Sequence, residues 1–88
     1  MRYEYAYTSR PITYCIWNGN NFEEVYNHTR KRATLNEDNT TLTIPGIRST
    51  YTAYPGDYII WDQTKHGGIC YPVPWALFEI MFGESRRY

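Results

Sequence analysis

The chain has 88 residues, in which nine Lys and Arg balance nine Asp and Glu and 18% of the side chains are aromatic. A chain of this length makes one domain, residues 1–88, with a thin core that removes about 60 to 65% of the unfolded surface from water. The cancelled charge argues against duplex nucleic acid, whose affinity comes from phosphate neutralisation by a basic face, and no run approaches the roughly 18 apolar residues of a membrane span.

At the start, "RYEYAY" alternates Tyr3, Tyr5 and Tyr7 with Arg2, Glu4 and Ala6, which makes residues 1–9 an extended arm or an edge strand. "PITYCIW" follows with apolar residues on both faces, the pattern of an interior strand. After "NGNN", the residues Phe22, Val25, Tyr26 and Thr29 fall at helical spacing. Asn21 is the expected cap, Glu24 completes a capping box, and Arg30, Lys31 and Arg32 occupy the last turn, where the helix dipole favours cations. "NEDNTT" is a polar loop, and "TLTI" and "IRSTYTAY" form a hairpin around Pro45 and Gly46.

Pro55, Gly56 and Asp57 then form a turn. Proline presets its first φ, glycine supplies a positive φ, and the aspartate carboxylate accepts from nearby backbone donors. The strand "YIIW" leads through a polar loop, "DQTKHGG", to a last strand "ICYP". A helix "WALFEIMF" closes the chain, apolar almost all round and therefore in need of cover from more than one side. The expected fold is α+β in the order β-α-β-β-β-β-α, with helices against a small antiparallel sheet. Phe22, Val25, Ile59, Tyr71, Leu77 and Phe78 are expected to share one core. The tyrosine arm and the apolar last helix together predict a homo-oligomer.

Chemistry-bearing groups are sparse. Cys15 and Cys70 lack the CxxC spacing of a redox motif and are expected as buried, reduced thiols. His66 and Cys70 flank a glycine pair but have no visible third, orienting group, so no catalytic set is assigned. Two Cys and two His scattered along the chain do not have zinc-ligand spacing, and no cofactor is implied.

"WNGNNFEEV", "TAYPGDYII", "GGICYP" and a final "FE" resemble, in that order, a family of small proteins of tailed bacteriophages and prophages. The resemblance spans about Pro11 to Glu79. It departs from the family pattern in the extra residues of "WDQTKHGGI", in Ala76 where a capping Asp is usual, and in the tyrosine-rich start. The resemblance implies accessory phage biology in the host cytoplasm and does not imply a reaction.

The remaining signal is aromatic and cationic together. Trp17, Trp61, Lys65, His66, Tyr71 and Trp75 lie at strand ends and turns, where rings stack on nucleobases and Lys and His meet phosphates. Burial in the core is the alternative for each ring. The expectation is a non-enzymatic counter-defence protein that sequesters a nucleotide-like host signal in an aromatic pocket. The alternative is a protein-interaction module that inhibits a host protein or serves as a minor phage component.

Overall fold

The computed structural model describes residues 12–64 and 67–83. The tyrosine arm and the expected ligand contacts Lys65 and His66 lie outside the described residues. The elements are β1 (Ile12–Ile16), α1 (Phe22–His28), β2 (Thr34–Leu35), β3 (Leu42–Pro45), β4 (Thr50–Ala53), β5 (Tyr58–Thr64), β6 (Gly67–Val73) and α2 (Trp75–Phe78), which continues as a π-helical turn, Glu79–Gly83. This is the expected α+β arrangement, with the helices after the first and last strands. Its strands divide into two antiparallel sheets, ordered β1-β5-β6 and β2-β3-β4.

β5 is the central strand of the first sheet, and its residues Ile59, Ile60, Trp61 and Asp62 are all buried. β1, expected inside a sheet, pairs only with β5 among the described strands and leaves Tyr14 and Ile16 exposed. The same apolar-on-both-faces pattern occurs in both strands, and position in the pairing order decided between them. The "DQTKHGG" segment is strand in its described residues: Asp62↔Ile69, Gln63↔Gly68 and Thr64↔Gly67 pair. A polar, glycine-rich stretch between two β-prone runs suits a long hairpin as well as a loop.

Alternation along β5 also splits the core in two. Ile59 and Trp61 face a larger cluster with Trp17, Val25, Ala33, Leu42, Ile44, Ala53 and Cys70, against which Phe22 packs. Ile60 points the other way, toward Val73 and Phe78, with Tyr58 and Tyr71 beside them. Phe22, Val25 and Ile59 therefore do not share a core with Tyr71 and Phe78, and Leu77 is exposed. A period of two places neighbouring apolar residues on opposite faces, and each face needs its own cover.

The Pro-Gly-Asp turn forms as expected. Gly56 has φ +101°, the Tyr54 amide donates to an Asp57 carboxylate oxygen at 2.9 Å, and the Asp57 amide donates to the Tyr54 carbonyl at 2.9 Å. Trp17 fastens this turn to the exit of β1, donating its amide to the Asp57 carbonyl and accepting from the Gly56 amide.

α1 is shorter than its pattern predicts. The Asn21 side chain makes no cap bond. Its amide instead donates to the Ile16 carbonyl at 2.7 Å and to a Glu24 carboxylate oxygen at 2.8 Å, tying strand to helix. At the far end the buried Thr29 hydroxyl donates to the Val25 carbonyl and accepts from the Ala33 amide, ending the helix before the basic run. Arg30, Lys31 and Arg32 are thus beyond the helix rather than in its last turn, and Arg30 and Lys31 have φ of +57° and +70°.

Candidate functional site

The turn between β3 and β4 overhangs the outer edge of β6 and leaves an open groove. Two adjoining cavities of about 290 and 270 Å³ share Gly46, Ile47 and Ile69. The first extends to Arg32 and Gly68, and the second to Arg48, Tyr51, Cys70 and Tyr71. The groove is therefore lined by Ile47 and Ile69, with Arg32 and Arg48 toward its ends, Tyr51 along it and Tyr71, whose ring packs beside Phe78, at its border, a few polar groups on an apolar cleft.

Two glycines make this geometry possible. A Cβ on Gly46 would lie 2.5 Å from Tyr51 Cε2 and 2.8 Å from the Ser49 carbonyl oxygen, inside the turn closed by the Gly46 amide and that carbonyl. A Cβ on Gly68 would lie 1.9 Å from Trp61 Cζ2. The bare Gly68 backbone is what lets the indole lie flat across β6.

Trp61 is covered from solvent by arginine. The guanidinium carbons of Arg30 and Arg32 lie 4.2 and 4.9 Å from its ring centroid, within the range of cation–π attraction. The Arg30 Nη1 donates to the His28 carbonyl at 3.0 Å and the Arg32 Nη1 to the Gly68 carbonyl at 2.8 Å. Among the described residues no carboxylate pairs with Arg30, Lys31, Arg32 or Arg48.

The thiols are poor nucleophiles. Burial, with the Glu24 charge adding to it, pushes the Cys15 thiol up to about 11. Burial raises Cys70 as well, against the opposing pull of Arg32. Both are free. They lie on β1 and β6 with β5 between them, so two strand spacings, about 9 Å or more, separate their Cα atoms, beyond disulfide reach. His28 is pushed below its ordinary 6.5 chiefly by burial. The carbonyls of Ile59 and Thr13 favour its protonated ring, yet the buried Nε2 makes no hydrogen bond of good geometry.

Of the residues singled out from sequence, the structure brings Tyr71 into the groove and Trp61 to its Arg32 end. Trp17 is a correction. It is 1% exposed in the larger core and donates its indole N–H to the Thr40 carbonyl at 2.8 Å, so it offers no ring face to a ligand. Trp75 is 60% exposed on α2 and lines neither cavity. Sequence reasoning missed Arg30, Arg32, Arg48, Tyr51, Ile47 and Ile69. In sequence the "RKR" run is indistinguishable from dipole compensation at a helix end, and only Thr29, which can end a helix by bonding back to it, hints otherwise.

Among the described residues no helix is long and apolar enough to cross a membrane, and no group of three or more His, Cys, Asp or Glu could hold a metal ion. Compared with known proteins, the chain matches no family model, no curated protein and no solved structure.

Proposed function

We propose that this protein is a non-enzymatic binding protein that takes up a small, flat, negatively charged ligand of nucleotide type in the groove along β6. The observation that carries this reading is the placement of Arg32 and Arg48, with no carboxylate partner among the described residues, along one cleft with Tyr51 and Tyr71. Stacking on an aromatic side chain contributes about 1 to 3 kcal/mol per base, and charge-assisted bonds to phosphate add to it. Together these reach the roughly 8 kcal/mol of micromolar affinity. The raised thiols of Cys15 and Cys70 support binding over nucleophilic chemistry. The setting, sequestration of a host signal by a phage accessory protein in the host cytoplasm, rests on the motif resemblance alone.

Calorimetry with a panel of cyclic and ADP-ribose-type nucleotides tests the reading. Micromolar binding is expected, and it should be lost in an Arg48→Ala, Tyr51→Ala variant. Both side chains are exposed, so the variant keeps its melting temperature. No heat with any nucleotide, or equal binding by the variant, would refute the groove.

A second reading, a protein-docking module, is favoured by a separate surface. Trp75, Leu77, Ile80 and Met81 are all exposed on α2 and the turn that follows, an apolar stretch of the kind that marks interaction sites. Ile80 is 75% exposed. Light scattering with the parent and an Ile80→Asp variant separates a homo-oligomer, which the variant dissolves, from a monomer that awaits another protein.

A further inference from the structure

The turn that carries Arg30, Lys31 and Arg32 is built against its own residue types. The Arg30 amide donates to the Asn27 carbonyl at 3.1 Å and the Lys31 amide to the Tyr26 carbonyl at 2.7 Å, the bond pair of a Schellman helix end. The first residue past the cap in that motif is usually glycine, because it takes a left-handed φ, and here it is Arg30 at +57° followed by Lys31 at +70°. Backbone strain of this sort persists where a side chain is required for something else. What the Arg30 side chain does is lie over Trp61, a ring that Arg32 also covers.

One guanidinium is enough to shield an indole face, and a second brings a like charge close by. Each is within 5 Å of the same centroid, so their carbons are at most about 9 Å apart. Lys31 stands between them in sequence, and no described carboxylate offsets the three charges. The Arg30 guanidinium spends one N–H on the His28 carbonyl, and the Arg32 guanidinium spends one on the Gly68 carbonyl and also meets the Cys70 thiol, so each keeps N–H groups for an outside acceptor. Contact with the indole and the bonds to backbone carbonyls hold both guanidiniums in place, so little freedom is lost when an anion binds.

We infer that the Arg30–Lys31–Arg32 turn is a phosphate site, and that the groove ligand carries a phosphate or diphosphate group bridged between the Arg30 and Arg32 guanidiniums. Arg32 belongs to both the turn and the groove lining, which joins the two. This inference rests on the groove reading above. It adds to it the charge the ligand must carry and the residues that meet it.

The test is calorimetry of adenosine, AMP and ADP against the parent, Arg30→Gly and Arg32→Gln, with a thermal melt of each protein. ADP should bind the parent about tenfold or more tighter than adenosine, with the ratio shrinking as salt screens the charges. Arg30→Gly is the informative variant. Glycine fits the left-handed position, so the melting temperature should hold or rise while the ADP-to-adenosine ratio collapses severalfold. A purely structural role for Arg30 predicts the opposite, a lower melting temperature with the ratio intact. A ratio that survives Arg30→Gly overturns the phosphate site and leaves the groove reading standing, whereas equal affinity of the parent for adenosine and ADP overturns the phosphate site together with the negative charge the groove reading assigns to its ligand. No binding of any of the three overturns both. If Arg32→Gln does not fold, Arg30→Gly alone decides.

Discussion

Replacing Gly68 with alanine is the most direct perturbation of the contact between the first sheet and the arginine-covered indole. Gly68 pairs with Gln63 in β6 and does not need a left-handed φ, so the backbone accepts alanine. In a strand that exchange would ordinarily stabilise by about 0.5 to 1 kcal/mol. Here the new Cβ would stand 1.9 Å from Trp61 Cζ2, 2.4 Å from Cε2 and 2.6 Å from Cη2. Ordinary contact needs some 3.4 Å, so the ring must retreat by about 1.5 Å. Retreat is opposed by the close-packed cluster of Val25, Leu42 and Ile59 that shares its side of β5. Forcing the ring into that cluster costs about 1 to 3 kcal/mol.

Expelling it instead surrenders two cation–π contacts at about 0.5 to 1 kcal/mol each and re-exposes roughly 150 to 250 Å² of apolar surface, worth about 4 to 6 kcal/mol. The cheaper route is retreat into the cluster, and after the gain from adding a Cβ in a strand the expected net loss is about 1 to 2 kcal/mol, a sizeable share of a small domain's stability. Urea unfolding followed by circular dichroism reads the loss, and tryptophan emission should not shift strongly to the red, because the retreating Trp61 ring stays buried. In a Trp61→Leu background the same Gly68→Ala change should become neutral or stabilising, which isolates the clash as the cause. A Gly68→Ala protein with the parental midpoint would refute the argument.

Phe78→Ala should cost about 3 kcal/mol, since Phe78 stacks on Tyr58 with centroids 4.0 Å apart and meets Tyr14 edge-on at 4.9 Å. A thermal melt indistinguishable from the parent would mean that α2 adds nothing to the fold. Thiol titration at neutral pH should label Cys15 and Cys70 slowly in the native protein and then count two thiols on denaturation without reductant; two missing thiols would mean a disulfide. His28 binds a proton less readily folded than unfolded, so its contribution to stability is complete above its ordinary 6.5 and is lost as the pH falls through the lower folded value. Urea midpoints should therefore drop from about pH 7.5 to about pH 5, and His28→Gln should flatten that part of the profile; an identical slope in the variant would remove His28 as its source.

The parts of this fold that were legible in the sequence are those where one residue type has one conformational use. Pro55, Gly56 and Asp57 specify a turn by φ and by a carboxylate, and that turn is present down to the Tyr54 amide. The start of α1 was legible from Phe22 and Val25, but its end was not, because Thr29 stops it by a tertiary-like web of bonds to Val25 and Ala33 that a charge pattern does not reveal. Core membership failed at Leu77 and at the division around Ile59 and Ile60, since periodicity says which residues share a face and not which face a second sheet will cover. Of the candidate site, only Tyr71 and Trp61 were legible. The rest depends on the β3–β4 turn crossing over β6, a long-range placement with no local signal at Arg48 or Tyr51.

That crossing also explains why a groove exists at this edge. The outer edge of β6 has no strand partner among the described residues, and an exposed edge is a liability that folds usually cover. β3 and β4 both pack near β6, so the covering element is at hand, yet it meets β6 through the Pro45–Ser49 turn rather than through a ladder. A turn satisfies its own amides, as the Gly46 amide does with the Ser49 carbonyl, and so has no hydrogen-bonding reason to close on the strand. The gap that remains is lined by Ile69 of the strand edge and by Ile47, which stands exposed on the turn, and it is flanked by Arg32 and Arg48, whose charged ends must face water. A six-stranded single sheet would have paired β6 and erased the cleft. The division into two sheets, each too small to cover the other completely, leaves a bounded space in which rings and guanidiniums converge.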